Sequence, residues 1–170
     1  VRPDICYYTG RGMAGRTIDG GKTWQQLYCD IHPDGSATGR CLEVTTCYGV
    51  HFDPFDREHL AISYTDIGLF QSHNGGQSWT QAIQGVPYAW INTCYWMVFD
   101  PDIRGKAWSA WSEAHDLPRQ KLFRNDHFYK KPYAGGICRS ENGLASWTVS
   151  NRGMPDACVT THIILDPASP

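Results

Sequence analysis

Apolar and polar positions in this chain recur in short blocks. Asp4–Trp24, DICYYTGRGMAGRTIDGGKTW, lies over His59–Trp79, HLAISYTDIGLFQSHNGGQSW, without a gap. Strand-like residues fall at matching places, and both segments end in a polar, Gly-rich turn followed by Trp. Gly135–Trp147, GGICRSENGLASW, ends the same way. A second block alternates with the first: TCYGVHFDP at 46–54, TCYWMVFDP at 93–101 and THIILDP at 161–167. Each is a short run rich in Val, Ile, Phe and Tyr, stopped by Asp-Pro. Pro fixes its own φ and pushes its predecessor out of the helical region, so Asp53, Asp100 and Asp166 are expected to be turn residues.

The order within one unit is strand, Asp-Pro turn, strand, loop, strand, Gly-rich turn, Trp-bearing strand. Equivalent marks lie roughly 47–68 residues apart, near the ~40–50 of propeller blades carrying insertions. The expected fold is therefore all-β: a β-propeller of four-stranded antiparallel blades, with about three blades present. The expected units are 1–45, 46–92 and 93–157, with 158–170 beginning a further blade. Propellers typically have 4–8 blades. The expected partners thus include the remaining blades of a larger chain, or copies of the chain itself. The third unit carries a long polar insertion between Ser112 and Ala134, interrupted by Pro118 and Pro132. Loops of that length are usually functional or mobile.

Composition narrows the function classes. The 170 residues are 41% hydrophobic and only 19% charged, with a net charge of −2. A nucleic-acid partner would call for a basic domain or face, so none is expected. No apolar run approaches the ~20 residues of a membrane-spanning helix, and no membrane partner is expected. The start lacks the basic-then-apolar pattern of a signal peptide, so any such segment has been removed or lies upstream. Seven Trp, nine Tyr, 17 Gly and 10 Pro suit many short strands joined by turns. The seven cysteines form no Cys-x-x-Cys pair. Cys29 and Cys41 flank a turn-rich loop and could bridge it; buried free thiols are the alternative.

The three turns read TIDGGKTW (17–24), SHNGGQSW (72–79) and SENGLASW (140–147). Asp or Asn can cap such a turn and tolerates a left-handed conformation, and Gly takes positive φ at little cost. The third copy has Leu144 in place of the second Gly, which invites distortion. These turns resemble the Asp-box, or BNR, repeat: Ser/Thr-x-Asp-x-Gly-x-Ser/Thr-Trp. That repeat occurs in sialidases, xyloglucanase-type glycoside hydrolases and sortilin-type propellers. The resemblance implies a structural role for Asp19, Trp24, Asn74, Trp79, Asn142 and Trp147, with each Trp packed between neighbouring sheets. It also implies secretion, to an extracellular or periplasmic location. Sialidases carry an Arg-Ile-Pro motif; here Arg2 and Pro3 lack the Ile, so sialidase chemistry is not expected. The text GLFQS (68–72) is closer to the xyloglucanase type.

In the family that the turns resemble, function lies on the opposite rim. Glycoside hydrolysis commonly needs two carboxyl groups flanking the scissile bond. The candidates are Asp66 in YTDIG, Glu43 in CLEVTT, and Glu113 and Asp116 at the start of the insertion. Flat aromatic faces suit a sugar ring, and Arg and His suit its hydroxyls. Trp90 and Tyr88 in GVPYAWINT, with His115, Arg119, Arg124 and His127, are the candidate substrate-binding residues; Trp90 has satellite core packing as its other role. The His and Asp spacing in HDLPR (115–119) matches no ligand pattern, so neither a metal nor another cofactor is expected. The expected function is a carbohydrate-active propeller, glycoside-hydrolase-like, acting on a glycan or polysaccharide. The alternatives are a non-catalytic glycan- or protein-binding module and a structural self-assembling unit.

Overall fold

The computed structural model describes residues 2, 4–10, 13–40, 45–115, 117, 133–156 and 158–168. It is all-β, with a single 3₁₀ turn at Tyr88–Trp90 among the described residues. Among the described residues, thirteen strands form four antiparallel sheets. The first sheet joins β1 (Cys6–Gly10), β2 (Met13–Thr17) and β3 (Gln25–Gln26) in that order. A two-stranded hairpin follows, β4 (Cys29–Ile31) with β5 (Ala37–Gly39).

The next sheet runs β6 (Cys47–Asp53), β7 (Asp56–Tyr64), β8 (Leu69–Ser72) and β9 (Thr80–Gln81). The last runs β10 (Thr93–Phe99), β11 (Ala107–Ser112), β12 (Gly135–Ser140) and β13 (Thr148–Val149). In these two sheets every strand pairs with its sequence neighbour, which is the meander of a propeller blade. In these two sheets the Asp-Pro turn joins the first strand to the second and the Gly-rich turn joins the third to the fourth; in the first sheet the Gly-rich turn joins β2 to β3.

The core lies between the β6–β9 and β10–β13 sheets. Ala61, Leu69, Ala82, Met97, Ala107, Trp111 and Leu144 are buried there together. Strand β10 packs against β6 and β7. Small side chains let the two sheets approach: Ala61, Ala107 and Ala110 are completely buried. Strand β11, AWSAWS, is buried along almost its whole length, so it lacks the polar alternation of a one-sided strand. Its Trp111 indole N–H donates to Ser109 Oγ at 2.6 Å, which satisfies a donor that burial would otherwise orphan.

The Asp-Pro aspartates do the same work in each copy. Asp53 Oδ1 accepts from Phe55 N at 2.8 Å, Asp100 Oδ1 from Asp102 N at 2.9 Å, and Asp166 Oδ1 from Ala168 N at 2.9 Å. In the two complete sheets the second carboxylate oxygen meets a basic side chain from the following strand region. Asp53 Oδ2 lies 2.8 Å from His59 Nδ1, and Asp100 Oδ2 lies 3.3 Å from Lys106 Nζ.

The three Gly-rich turns share one hydrogen-bond network. In the first, Thr17 Oγ1 accepts from Gly21 N at 2.9 Å, while Asp19 Oδ1 accepts from Thr23 N at 2.9 Å. In the second, Ser72 Oγ accepts from Gly76 N at 2.9 Å, and Asn74 Oδ1 from Ser78 N at 2.9 Å. In the third, Ser140 Oγ accepts from Leu144 N at 3.1 Å, and Asn142 Oδ1 from Ser146 N at 3.0 Å. The expected distortion at Leu144 does not occur. Leu144 adopts φ 67°, the left-handed region that Gly76 occupies at 88°, and its side chain is fully buried. The Thr23 hydroxyl, with backbone N–H groups, holds the Asp19 carboxyl down at about 2.

The tryptophans that follow these turns differ in surroundings. Trp147 is buried, Trp79 is half-buried, and Trp24 is 50% exposed. Trp147 reaches across to the preceding blade. Trp79 pairs with Ala37 of the β4–β5 hairpin through two 2.8 Å backbone bonds. Trp24 instead meets Tyr8 edge-on, with ring centroids 5.4 Å apart. Packing between sheets therefore describes Trp147 but not Trp24 among the described residues.

No helix among the described residues is long and apolar enough to cross a membrane. Cys94 and Cys138 are buried thiols; burial pushes Cys94 well above the ordinary thiol range and Cys138 up to about 12. Cys41 lies outside the described residues.

Candidate functional site

The rim opposite the Gly-rich turns is built from second-to-third-strand connections and from the segments between blades. Its first element is the β7–β8 connection, Thr65–Gly68. Asp66 sits there at φ 65°. A non-glycine residue in the left-handed region costs roughly 1–2 kcal/mol, although Asp tolerates it better than most. Such residues concentrate at ligand sites. The Asp66 side chain is exposed. The hydroxyl of Thr45 lies 2.9 Å from Thr65 O and 3.3 Å from Asp66 Oδ2, and so spans both acceptors. Thr65 N donates to Thr46 O at 3.0 Å. The loop carrying Asp66 is thus tied to the chain entering β6.

Gly68 closes this loop at φ 77°. A Cβ there would lie 2.8 Å from Ile91 O and 3.3 Å from the Trp111 ring, so only glycine lets the loop sit this close. The consequence is proximity: the Asp66 loop lies against the segment that carries Tyr88 and Trp90. Pro87 O accepts from Trp90 N at 2.8 Å to close the 3₁₀ turn. Within it the two aromatics diverge. Tyr88 is 88% exposed, whereas Trp90 is half-buried and packs against the core.

The third element is the base of the insertion. Glu113 N donates to Ala134 O at 2.8 Å, and Ala134 N donates back to Glu113 Oε2 at 3.1 Å. The first bond extends the β11–β12 ladder past Ser112 and Gly135, and the second ties the Glu113 carboxylate to it. His115 follows and is exposed. Of the other residues expected at the site, Glu43, Asp116, Arg119, Arg124 and His127 lie outside the described residues.

Two tyrosines not anticipated from the sequence connect these elements. In β6 the pairing passes from Cys47↔Tyr64 to Gly49↔Ser63, which leaves Tyr48 as the extra residue of a bulge. In β10 it passes from Cys94↔Trp111 to Trp96↔Ala110, which leaves Tyr95 extra. Bulges re-aim side chains and are over-represented beside functional sites. The two rings meet across the blade boundary, 4.8 Å between centroids and tilted by 33°. The Tyr95 hydroxyl donates to Ala114 O at 3.2 Å and accepts from Leu117 N at 2.7 Å. The visible signal was the repeated Thr-Cys-Tyr that opens both innermost strands.

The β4–β5 hairpin carries other polar residues beside the second Gly-rich turn, where Ala37 pairs with Trp79 and the Thr38 hydroxyl donates to Gln77 O at 2.9 Å. Asp30 and Arg40 form an ion pair across it, and Asp34 Oδ1 accepts from Ser36 N at 2.9 Å at its tip. Among the described residues no group of three or more His, Cys, Asp or Glu side chains is arranged to hold a metal ion.

Comparisons with known proteins place this architecture. No family model matches the chain, and no curated protein matches it. Among solved structures, it superposes on an ancestral GH74 enzyme with a TM-score of 0.50 at 20% identity, covering 87% of this chain. It spans 16% of that enzyme's length. A GH74 xyloglucanase from Xanthomonas campestris matches with a TM-score of 0.42 at 14% identity, over 85% of this chain and 20% of its own. YCF48 bound to D1 peptide matches at 0.39 and 16% identity, over 86% of this chain and 37% of its own. The likeness to the ancestral enzyme is one of fold: this chain is built of β-propeller blades.

Proposed function

We propose that the chain is part of a carbohydrate-active, extracellular β-propeller, and that the Asp66 rim is its glycan site, with hydrolysis of a polysaccharide as the reaction. The observation that carries this reading is Asp66 itself: an exposed carboxylate at positive φ, steadied by Thr45, on a loop packed against the Tyr88–Trp90 turn. A carboxylate beside an exposed aromatic face is what a sugar ring requires, since apolar C–H faces stack and hydroxyls hydrogen-bond.

In this reading Asp66 and Glu113 are the two carboxyl groups, one acting as the acid and the other on the opposite side of the scissile bond. Tyr88 offers the stacking face, with His115 beside the leaving group. Trp90 supports the turn from beneath. Glu43, Asp116, Arg119, Arg124 and His127 complete the candidate set. The three Gly-rich turns are Asp-boxes with a structural role, which is also how the resemblance to xyloglucanase-type propellers assigns them. The blade-like units are 1–45, 46–92 and 93–157, with 158–170 opening another. The ring is completed by further blades or by copies of the chain.

The test is a glycan array followed by reducing-end release from plant and microbial polysaccharides, xyloglucan among them. Binding with release that is lost in Glu113→Gln supports hydrolysis. Binding without release leaves a glycan-binding module. The absence of both on every polysaccharide contradicts a carbohydrate role.

A further inference from the structure

Two carboxylate-bearing segments, on different blades and far apart in sequence, must hold a fixed relation if they are to act on one bond. Each is anchored at the same place in its blade, the bulge that opens the innermost strand. The Asp66 loop is held beside the β6 bulge, through Thr65 N to Thr46 O at 3.0 Å and through the Thr45 hydroxyl. Ala114 and Leu117, which follow Glu113, are held beside the β10 bulge by the Tyr95 hydroxyl. The bulged residues, Tyr48 and Tyr95, are in ring contact.

We infer that Tyr95 is a positioning residue for Glu113 and His115, and that its contact with Tyr48 sets that segment against the Asp66 loop. The inference deepens the glycan-site reading and rests on it for its catalytic consequence. Its structural half stands separately. The Tyr95 side chain is only 4% exposed, so its hydroxyl is not a solvent-facing substrate group. Both hydrogen-bonding directions of that hydroxyl are used on one short stretch of backbone: it gives a proton to Ala114 O and takes one from Leu117 N. A hydroxyl that bonds both Ala114 O and Leu117 N fixes where those two residues lie. Glu113, just before them, has its own backbone in the β11–β12 ladder. Glu113 is therefore held by the sheet, and Ala114 and Leu117 by Tyr95.

The bulge supplies the aim. In a regular strand a residue at this position would point to one face of the sheet. The extra residue in β10 turns the Tyr95 side chain toward the insertion base instead, and the matching bulge in β6 brings Tyr48 against it. Shared sequence, shared register shift and mutual ring contact thus belong to one device. A misplacement of about 1 Å in such a constellation can cost roughly 100-fold in rate.

The experiment compares Tyr95→Phe, Tyr48→Phe and Tyr48→Ala in the full chain, by amide hydrogen exchange and by steady-state kinetics on whichever polysaccharide the wild type cleaves. Tyr95→Phe keeps the ring and removes only the hydroxyl. The expected result is faster exchange at Leu117, with kcat lowered roughly 10–100-fold and KM little changed. Tyr48→Phe keeps the ring contact and should leave exchange at Leu117 at the wild-type rate. Tyr48→Ala should reproduce part of the Tyr95→Phe effect. Unchanged exchange at Leu117 in Tyr95→Phe overturns the inference whatever the activity. Faster exchange with wild-type kcat and KM reduces Tyr95 to a structural role and overturns it as well. If the wild-type chain cleaves no polysaccharide, the hydrolytic reading falls, while exchange in the same variants still decides whether Tyr95 holds the segment.

Discussion

The indole N–H of Trp147 donates to the carbonyl of Ala82 at 2.9 Å, across the boundary between two blades. Beside it, Trp147 N donates to Gln84 O at 2.8 Å. One residue of the third blade thus satisfies two carbonyls of the segment leaving the second, while its ring fills the space between the sheets. Trp147→Phe preserves most of the apolar contact but orphans the Ala82 carbonyl in a buried setting. The expected loss is about 1–3 kcal/mol, measured by urea denaturation. Trp24→Phe, at the corresponding position of an exposed turn, should change stability by no more than ~0.5 kcal/mol.

Leu144 poses a conflict between backbone and side chain. Restoring glycine, as the two sister turns have, relieves a left-handed conformation worth roughly 1–2 kcal/mol. It also empties a fully buried leucine site, and leucine truncation in a core costs about 2–5 kcal/mol. Burial wins. Leu144→Gly should destabilise the chain by about 1–3 kcal/mol in the same denaturation experiment, whereas simple agreement with the repeat would predict a gain.

Asp66 presents the opposite balance, because its side chain is exposed and the left-handed backbone is not compensated by burial. Asp66→Gly should leave the melting temperature unchanged or raise it, by at most the equivalent of ~1 kcal/mol. If the rim is the glycan site, the same substitution abolishes turnover. A thermal melt and an activity assay on one protein sample check both halves.

Acid should weaken the fold as the pH falls below about 6.5. Burial lowers the pKa of His51 from 6.5 to about 4, with Nε2 3.0 Å from Ser63 Oγ. Folding therefore favours the neutral ring. Between about pH 6.5 and pH 4 the unfolded chain binds a proton that the folded chain does not, so stability falls as pH drops through that window and is fully present above it. The size is of the order of 3 kcal/mol. His73 is lowered by burial and by its His59 neighbour and acts in the same direction. His51→Gln should flatten the slope of unfolding free energy against pH over this window, measured by denaturant titrations at several pH values.

How much of this was legible in the chain depends on whether a feature repeats. The Asp-Pro turns and the Gly-rich turns recur with fixed residue types, because each satisfies its own backbone locally; Asp53 and Asn74 need no distant partner to be read. The bulges were hidden for the opposite reason. Tyr48 and Tyr95 announce themselves as a repeated tripeptide, but a bulge is a property of the pairing register, which depends on the neighbouring strand. The β4–β5 hairpin was visible only as a turn-rich loop between Cys29 and Cys41, since its bridge to Trp79 is a long-range contact. Trp90 and Tyr88, two residues apart, look equivalent in sequence. Only the packing of their turn against blade three separates the half-buried ring from the exposed one.

The central claim is that the Asp66 rim processes glycans, and Asp66→Asn tests it most directly. The substitution removes the charge while keeping the shape, and Asn tolerates the left-handed backbone. Polysaccharide binding by calorimetry and reducing-end release should be measured side by side on the wild type and this variant. The account predicts that binding survives within a few-fold, while release falls by at least ~100-fold. Release at the wild-type rate by Asp66→Asn would contradict it.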